Sequence, residues 1–278
     1  MLLKNKATLF IVATPIGNLS EMSTRAIDTL KNVDVIACED TRNTIKLLTH
    51  FDIHTKMITY HNFNEESSTK GIIKLLNEDK SIALISDAGY PLISDPGYEL
   101  VNSVIDNGFD IVVVSGPNAA LNALVASGLN TNHYLFYGFL NSKLSHAKKE
   151  LEELMQFPHT LIFYEAPHRI EKTLELMKEV FGNRKACLAR ELTKLHEQYH
   201  RGNLDDLCKL HDLKGEMVLV VEGYQEEDIV VDDIELVNEI KKLIKAGEKS
   251  KSAISMVSDR YNVSKNTLYD LYLKNKGE

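Results

Sequence analysis

Residues 8–38 read TLFIVATPIGNLSEMSTRAIDTLKNVDVIAC, and the order of patterns in this stretch decides the fold class. An apolar, β-branched run at Thr8–Ala13 ends in a turn that contains Pro15 and Gly17. A segment with helical spacing follows, and then a second apolar run at Val33–Cys38. A strand, a turn, a helix and another strand in this order indicate a sheet with helices packed on its faces.

The same alternation continues to about Tyr224, which predicts two consecutive α/β domains, at residues 1–117 and 118–226. The further strand candidates are Lys56–Tyr60, Ile82–Ser86, Ile111–Val114, Tyr134–Tyr137, Leu161–Tyr164, Ala186–Ala189, Gln198–His200 and Met217–Val221. The segments with helical spacing are 23–32, 43–51, 68–78, 98–107, Leu144–Met155 and Ile170–Phe181.

The pattern changes after Tyr224, where an acidic linker, QEEDIVVDD at 225–233, leads into a helical module at 232–278. The module resembles a helix-turn-helix, and Ser264 is placed to cap its last helix. Its predicted helices are Ile234–Ala246, Ser252–Tyr261 and Lys265–Lys274. Such a unit either binds nucleic acid or serves only as a packing module.

Charge is distributed unevenly along the chain. The formal net charge is -8, yet Lys241–Lys276 holds nine Lys or Arg against three acidic residues, a local charge of +6. A lysine-rich, solvated tail would explain this, but a basic module is also what a nucleic-acid partner requires. The asymmetry therefore favours a nucleic-acid role for the module over simple packing.

Composition excludes several other classes of protein. No apolar run approaches the roughly 20 residues that cross a bilayer, and Leu9–Ala13 is interpreted as a first strand rather than a signal peptide. The three cysteines are widely spaced and form no C-x-x-C pair. We therefore expect a reduced, cytoplasmic protein without a membrane segment and without a metal.

Loops after the predicted strands are rich in proline and glycine. Parallel sheets bind ligands outside the carboxyl ends of their strands, so we predict the functional site there, although these residues also mark turns in any α/β protein. The prolines are Pro15, Pro91, Pro96, Pro117 and Pro167, and the glycines are Gly17, Gly89, Gly97 and Gly116.

Those loops suit a ligand with an adenine and a cationic or hydroxylated part. Asp87 can accept hydrogen bonds. Gly89 and Gly116 have no side chain, so their backbone groups are accessible to a ligand, and Ala119 leaves room beside a flat ring. Neither G-x-G-x-x-G nor a Walker loop is present in the sequence. On these grounds the ligand is either S-adenosyl-L-methionine or an adenine nucleotide.

The motifs FIVATPIGNL, CEDTRNT, SDAGYPLISDPGYELV, GPNAA, IFYEAPHR, ARELTK and KGEMVLVVEG occur in that order. Together they closely resemble the rRNA-methylating branch of the tetrapyrrole-methylase superfamily. The resemblance covers nearly the whole chain. It implies two α/β domains of the tetrapyrrole-methylase fold, with a parallel sheet in the first and a mixed sheet in the second. It also implies a homodimer that uses S-adenosyl-L-methionine to methylate the ribose 2'-oxygen of a cytidine in the decoding region of 16S rRNA.

The resemblance also assigns cofactor-binding residues, in both predicted α/β domains. They are Pro15, Gly17, Asp87, Ala88, Gly89, Gly116, Asn118, Ala119, Tyr164, Ala166 and Ala189. The chain departs from the family pattern at Tyr90, where Thr is usual, and at Asn118, where a smaller residue is common. Both departures fall in loops that we expect to touch the cofactor.

A poor nucleophile such as a ribose hydroxyl needs a base or a stabilising cation. We predict Asp40, Arg42 and His61 as the catalytic residues on the acceptor side. The alternative for Asp40 and Arg42 is a helix-start cap with an ion pair, and for His61 a loop histidine bonded to backbone. Other candidates are Glu165, His168, Arg169, Arg190 and Glu191.

Two other functions stay open. A small-molecule methyltransferase of the same superfamily would act on a tetrapyrrole, but such relatives generally begin with G-x-G-x-G-D, where this chain has TPIGNL at 14–19. A nonenzymatic regulator would use the helical module to bind DNA and the α/β body to sense a ligand. Only an enzyme would transfer a methyl group to small ribosomal subunits.

Overall fold

The structure is a computed structural model that describes residues 7–60, 65–226, 232–261 and 263–275. The chain divides into two compact units, Met1–Tyr224 and Gln225–Glu278. The first unit contains two five-stranded sheets, and the second is helical.

The first sheet has the strand order β3-β2-β4-β1-β5, and all of its pairings are parallel. Its strands are β1 (Thr8–Val12), β2 (Val35–Cys38), β3 (Lys56–Thr59), β4 (Ile82–Ile85) and β5 (Asp110–Val114). The helices between them are α1 (Thr24–Asn32), α2 (Thr41–His50), α3 (Glu65–Asn77) and α4 (Tyr98–Asp106).

Strand β1 is covered on both faces, which explains its continuous apolar sequence. Leu9 and Ile11 pack in a cluster with residues of α3 and α4, whereas Phe10 and Val12 pack in a cluster with residues of α1 and α2. Successive side chains of a strand point to opposite faces, so an apolar residue is needed at every position.

The second sheet has the order β6-β7-β10-β8-β9; β6 and β7 pair in parallel and the other pairings are antiparallel. Its strands are β6 (Tyr134–Phe139), β7 (Thr160–Glu165), β8 (Lys185–Arg190), β9 (Gln198–Asn203) and β10 (Met217–Val221). The other helices of this unit are α5 (Ala119–Ser127), α6 (Leu144–Glu153), α7 (Ile170–Phe181) and α8 (Leu204–Leu207).

Helix α5 was not among the segments with predicted helical spacing. Ala120, Ala123 and Leu124 are buried in a cluster with the second sheet, but Leu121 and Val125 are also apolar and are exposed. A helix that is apolar on both its buried and its exposed face has no polar stripe, so periodicity did not reveal it.

The second unit consists of α9 (Asp233–Lys245), α10 (Ser250–Tyr261) and α11 (Lys265–Lys274). Its core is formed by Leu236 and Ile240 of α9, Ile254 of α10 and Leu268 of α11. The predicted cap is confirmed, because the Ser264 side chain accepts a hydrogen bond from the amide of Thr267 at 3.1 Å.

The predicted fold class is therefore confirmed: a parallel sheet, a mixed sheet and a C-terminal helical module follow one another along the chain. Part of the predicted acidic linker, residues 227–231, lies outside the described residues. Among the helices that the structure describes, none combines the length and the apolar character needed to cross a bilayer.

Replacing Leu219 by Ala tests the core of the second sheet. Leu219 lies in the middle of the central strand β10 and is completely buried. The truncation removes apolar contacts and leaves a cavity, so we expect a loss of about 2–5 kcal/mol of unfolding free energy in urea. Leu195→Ala is the matched control, because Leu195 is 93% exposed. Equal unfolding midpoints for the two variants would contradict this placement of the core.

Candidate active site

The site lies where β1, β4 and β5 end, because the carboxyl ends of parallel strands meet at one edge of a sheet. Two backbone hydrogen bonds join the loops after β1 and β4: Thr14 N–H donates to the oxygen of Gly89 at 2.9 Å, and Gly89 N–H donates to the oxygen of Thr14 at 3.1 Å. The Thr14 hydroxyl also donates to the oxygen of Ser86 at 3.2 Å. These contacts fix the two loops against each other.

The loop after β5 packs closely on the same edge. A Cβ atom at Gly116 would lie 2.9 Å from the Cβ of Ala13, so only glycine fits there without a shift of backbone. The amide of Gly116 donates to the hydroxyl of Tyr90 at 3.1 Å. Tyr90, one of the two departures from the family pattern, thus links the loops after β4 and β5.

Between the two sheets lies a cavity of about 380 Å³, which we call the main cavity. One wall comes from the loops after β4 and β5, and the other from the ends of β6 and β7 and the start of β10. Its lining residues are Ile16, Asp87, Ala88, Gly89, Tyr90, Ile93, Ser94, Asp95, Asn118, Ala119, Phe139, Tyr164, Glu165, Ala166, Pro167, Leu192, Glu216, Met217 and Val218.

The main cavity is acidic. Its described lining holds four carboxylates, at Asp87, Asp95, Glu165 and Glu216, and no Lys, Arg or His. Two of these charges are offset by nearby cations: Arg169 is 3.5 Å from Glu165, and Lys194 is 3.2 Å from Glu216. The cavity therefore favours a ligand with positive charge, and it disfavours a polyphosphate.

A second cavity of about 320 Å³ adjoins the first, and we call it the side cavity. It shares Ile16, Asp87, Ala88 and Glu216 with the main cavity. Its other lining residues are Thr14, Pro15, Gly17, Leu19, Asn43, Thr44, Lys46, Leu47, Ser86 and Lys194.

Helix α2 gives the side cavity a basic rim. Lys46 lines the cavity and is exposed, and Arg42 lies one turn before it, also exposed. Asn43, between them, donates from its side-chain amide to Asp87 at 2.9 Å. This bond ties α2 to the loop that both cavities share.

The turn at Gly17 closes the other side of this cavity. A Cβ atom at Gly17 would lie 2.5 Å from Cγ of Lys194, so the segment after β8 lies directly on the turn after β1. Lys194 also contacts Glu191 at 3.0 Å and Glu216 at 3.2 Å. The tight turn thus lets a lysine with two carboxylate partners reach the cavity.

Most of the predicted cofactor residues are found at one or the other cavity. Gly116 lines neither cavity but bonds to Tyr90, which lines the main cavity, and Ala189 is fully buried in the cluster between α5 and the second sheet. Asn118 uses its side-chain oxygen to accept from the amide of Leu121 at 2.9 Å, which caps α5. At the main cavity are Asp87, Ala88, Gly89, Asn118, Ala119, Tyr164 and Ala166, and at the side cavity are Pro15, Gly17, Asp87 and Ala88.

The predicted acceptor-side residues lie at the start of α2. Asp40 caps this helix by accepting from the amide of Arg42 at 2.8 Å, and its carboxylate contacts the Arg42 guanidinium at 2.7 Å. The hydrogen bonds from Arg42 lower the pKa of Asp40 to about 2. Asp40 is therefore a carboxylate at neutral pH and a weak base. His61 lies outside the described residues.

Glu165 and Arg169 hold the loop after β7. The buried Glu165 carboxylate accepts from the Thr173 hydroxyl at 2.6 Å and from the amide of Ala166 at 2.8 Å. The Arg169 guanidinium pairs with it and also donates to the backbone oxygen of Asn141 at 2.9 Å. Arg169, one of the other candidates from the sequence, is thus the ion-pair partner of Glu165.

Several lining residues were not predicted. Phe139, Leu192 and Met217 come from strand ends of the second sheet, whose position opposite the first sheet is set by the fold rather than by any motif. Asp95 could have been found, since it lies in the same proline- and glycine-rich motif as Asp87.

Comparison with known proteins defines the class. The family model described as "Tetrapyrrole (Corrin/Porphyrin) Methylases" matches residues 8–208. Solved structures agree in fold: diphthine synthase superposes with a TM-score of 0.60 at 12% identity, over 78% of this chain and 89% of that one. Uroporphyrin-III-C-methyltransferase from Thermus thermophilus gives 0.56 at 19% identity, over 78% and 94%. The chain belongs to the tetrapyrrole methylase family.

Closer relatives narrow the assignment within this family. A protein of Halalkalibacterium halodurans is 46% identical over 96% of this chain and 95% of its own length, and one of Bacillus subtilis is 45% identical over 95% and 93%. Both are named ribosomal RNA small subunit methyltransferase I. The resemblance inferred from the motifs is thereby confirmed.

Replacing Glu165 by Ala tests the loop after β7. The variant leaves the Thr173 hydroxyl, the Ala166 amide and the Arg169 guanidinium without their shared acceptor. Removing one partner of a buried ion pair is strongly destabilising, so we expect a loss of about 3 kcal/mol in urea denaturation. Glu171→Ala, on the exposed first turn of α7, is the control and should change stability by less than about 0.5 kcal/mol. A similar small change for Glu165→Ala would contradict its assigned role.

Proposed function

We propose that this chain transfers the methyl group of S-adenosyl-L-methionine to the 2'-oxygen of a cytidine in the decoding region of 16S rRNA. The observation that carries this proposal is the pair of adjoining cavities: an acidic one between the sheets and one with a basic rim beside it. The names of relatives that are 40–46% identical over nearly the whole chain support the rRNA substrate. The cytidine, its 2'-oxygen and the decoding region follow from the motif resemblance.

The main cavity would hold the methyl donor. S-adenosyl-L-methionine carries a sulfonium and an ammonium group against a single carboxylate, so its net charge is positive. A cavity with four carboxylates and no cationic side chain in its described lining attracts such a ligand. ATP would bring its negative phosphates into the same surroundings, and this favours the sulfonium donor over the adenine nucleotide that the sequence left open.

The side cavity would receive the target nucleotide. It shares Asp87 and Ala88 with the main cavity, so a ribose placed there can approach the methyl group of a donor next door. Alignment of the two reacting atoms is a large contribution that an enzyme makes to such a displacement. Arg42 and Lys46 on the rim would contact phosphates on either side of the nucleotide.

Among the predicted catalytic residues, the Asp40 carboxylate orients the Arg42 guanidinium, with which it forms hydrogen bonds at 2.7–3.2 Å. Arg42 is 88% exposed and can still donate to a phosphate. We keep Asp40, Arg42 and His61 as acceptor-side residues, with Asp40 and Arg42 binding the substrate rather than moving a proton.

The helical unit would hold the RNA through lysines at helix N-termini. Lys249 and Lys251 flank the start of α10, and Lys265 begins α11. Neither helix has an acidic residue in its first turn. A cation at a helix N-terminus is unfavourable for the helix itself, whereas a phosphate there is stabilised by both the lysine and the free backbone amides. This placement is better explained by an anionic partner than by stability.

A homodimer that acts in the cytoplasm completes the proposal, because rRNA is found there and the motif resemblance implies a dimer. The tetrapyrrole alternative is weaker, since three solved tetrapyrrole enzymes that share the fold are only 14–19% identical to this chain, whereas relatives named for rRNA methylation are 40–46% identical. A DNA-binding regulator would need no acceptor cavity beside a donor cavity.

Methyl transfer is tested with tritium-labelled S-adenosyl-L-methionine and small ribosomal subunits from cells that lack this protein. We expect label in 16S rRNA, at a cytidine whose 3' phosphodiester resists alkaline hydrolysis, because cleavage needs a free 2'-hydroxyl. Free 16S rRNA and a tetrapyrrole precursor are parallel acceptors. Label on the tetrapyrrole alone, on a base, or on neither RNA would refute the proposal.

Charge reversal in the full-length chain tests the RNA-binding surface. Lys249→Glu, Lys251→Glu and Lys265→Glu combined should weaken rRNA binding by at least about tenfold near 0.1 M salt and make its salt dependence shallower. Acidic residues stabilise a helix near its N-terminus, so the variant should stay folded. Its affinity for S-adenosyl-L-methionine should not change.

A control with the same change of net charge is available in the first unit. Lys31, Lys149 and Lys172 are exposed and line neither cavity. Their combined replacement by Glu should reduce rRNA affinity much less, as measured by filter binding over a salt series. Equal losses in the two triple variants would show that only net charge matters, and the helical unit would then have no special role.

A further inference from the structure

The loop Tyr90–Gly97, which leads from β4 to α4, adopts an unusual backbone conformation. Leu92 and Ser94 have φ angles of 72° and 65°, in the left-handed region that residues with a side chain rarely occupy. Between and after them, Ile93 and Asp95 line the main cavity. Strained backbone persists only where the surroundings hold it, and it is concentrated at functional sites.

Contacts at several points hold this loop in place. At its start the Tyr90 hydroxyl accepts from the amide of Gly116, and at its end the amide of Gly97 donates to Glu65 at 3.1 Å. In the middle Ser94 reaches the second sheet, since a Cβ atom at Gly138 would lie 3.2 Å from its hydroxyl oxygen. The loop therefore extends from the first sheet to the second, and Asp95 is one of its residues.

Asp95 lines the main cavity, close to residues that line the side cavity. Ser86 and Asp87 lie close enough to affect the pKa of Asp95, which the Ser86 hydroxyl lowers and the charge of Asp87 raises. Ser86 lines the side cavity, and Asp87 lines both cavities. On the opposite wall, burial chiefly raises the pKa of Tyr164, and the charge of Asp95 adds to this shift. Asp95 thus lies near Ser86 of the side cavity and Asp87 of both cavities, and near Tyr164 of the second sheet.

We propose that Asp95 is the general base of the reaction, the group that accepts the proton of the acceptor hydroxyl. This inference rests on the proposed function, namely methyl transfer to an oxygen. The O–H bond breaks and its proton moves to the Asp95 carboxylate, while the oxygen forms a bond to the methyl carbon. The bond from carbon to sulfur breaks, its electron pair stays on sulfur, and the neutral thioether S-adenosylhomocysteine is left.

The other carboxylates at the site are engaged elsewhere. Asp40 pairs with Arg42, Glu165 is buried with Thr173 and Arg169 as partners, and Glu216 pairs with Lys194. Asp87 accepts from the side chain of Asn43. A base must be free to receive a proton, and among the described carboxylates of the main cavity Asp95 is the one with neither a cation nor an amide among its described partners.

The surroundings also give Asp95 a suitable basicity. Burial raises the pKa of Asp95 to about 6, the hydrogen bond from Ser86 opposes this, and the charges of Glu39 and Asp87 add to the rise. The remaining charged groups on the cavity wall are Glu165 and Glu216, and no described lining residue is a cation. A base whose pKa lies just below the working pH is ionised and still holds a proton well.

The test compares wild type with Asp95→Asn and Asp95→Glu, using small ribosomal subunits as the acceptor. We expect Asp95→Asn to lower kcat by about a hundredfold or more, with KM for the subunit and Kd for S-adenosyl-L-methionine within about threefold of wild type. Because ionising Asp95 is unfavourable in the folded protein, the Asn variant should be at least as stable at neutral pH. Asp106→Asn, at the exposed end of α4, is the control and should keep full activity.

The pH profile separates a base from a structural residue. In wild type kcat/KM should rise about tenfold per pH unit up to about pH 6 and then level off, because only the ionised carboxylate accepts a proton. Asp95→Glu should keep a rising limb, and Asp95→Asn should lose it. A rising limb in Asp95→Asn, a kcat within about threefold of wild type, or a loss of cofactor affinity as large as the loss of kcat would overturn the assignment of Asp95. Absence of methylation by wild type would instead refute the proposed function.

Discussion

The reciprocal pair of backbone hydrogen bonds between Thr14 and Gly89 is the interaction on which the site depends. These bonds join two loops that leave adjacent parallel strands, β1 and β4, and those loops line both cavities. Gly89 has a φ of 76°, so a side chain at this position would strain the bridge. Backbone atoms rather than side chains therefore hold together the two loops that both cavities share.

Charge then distinguishes the two parts of the site. The main cavity has four carboxylates in its described lining, whereas the rim of the side cavity carries Arg42 and Lys46 on α2. Asn43, on the same helix, holds Asp87, which belongs to both cavities. A cationic donor would be attracted to the main cavity, and an anionic acceptor to the basic rim of the side cavity. The two substrates of a transfer reaction would then bind at separate places.

Much of the fold could be predicted from the sequence, because strands covered on both faces leave continuous apolar runs. Strand β1 is an example of such a run. Helix α11 could be predicted from its apolar spacing and from its cap at Ser264. Helix α5 was missed, since it lacks a polar stripe. The loops at the site were predicted from Pro and Gly, but the opposite wall was not, because Phe139 and Met217 come together with these loops only through the packing of the second sheet. Sequence could not separate capping from catalysis at Asp40 either, since both uses need the same carboxylate at a helix start.

The charge of the main cavity also bears on the end of the reaction. Methyl transfer converts the sulfonium of the proposed donor into a neutral thioether, while the proton released from the acceptor is taken up at the same site. The product would thus lose one of the positive charges that the carboxylates of the cavity attract, and the electrostatic part of its binding would be weaker than that of the donor. Protonated Asp95 is also neutral. The attraction is therefore reduced twice, because the ligand has lost a positive charge and the cavity has lost a negative charge. An acidic cavity therefore favours binding of the donor before the transfer and release of the product after it.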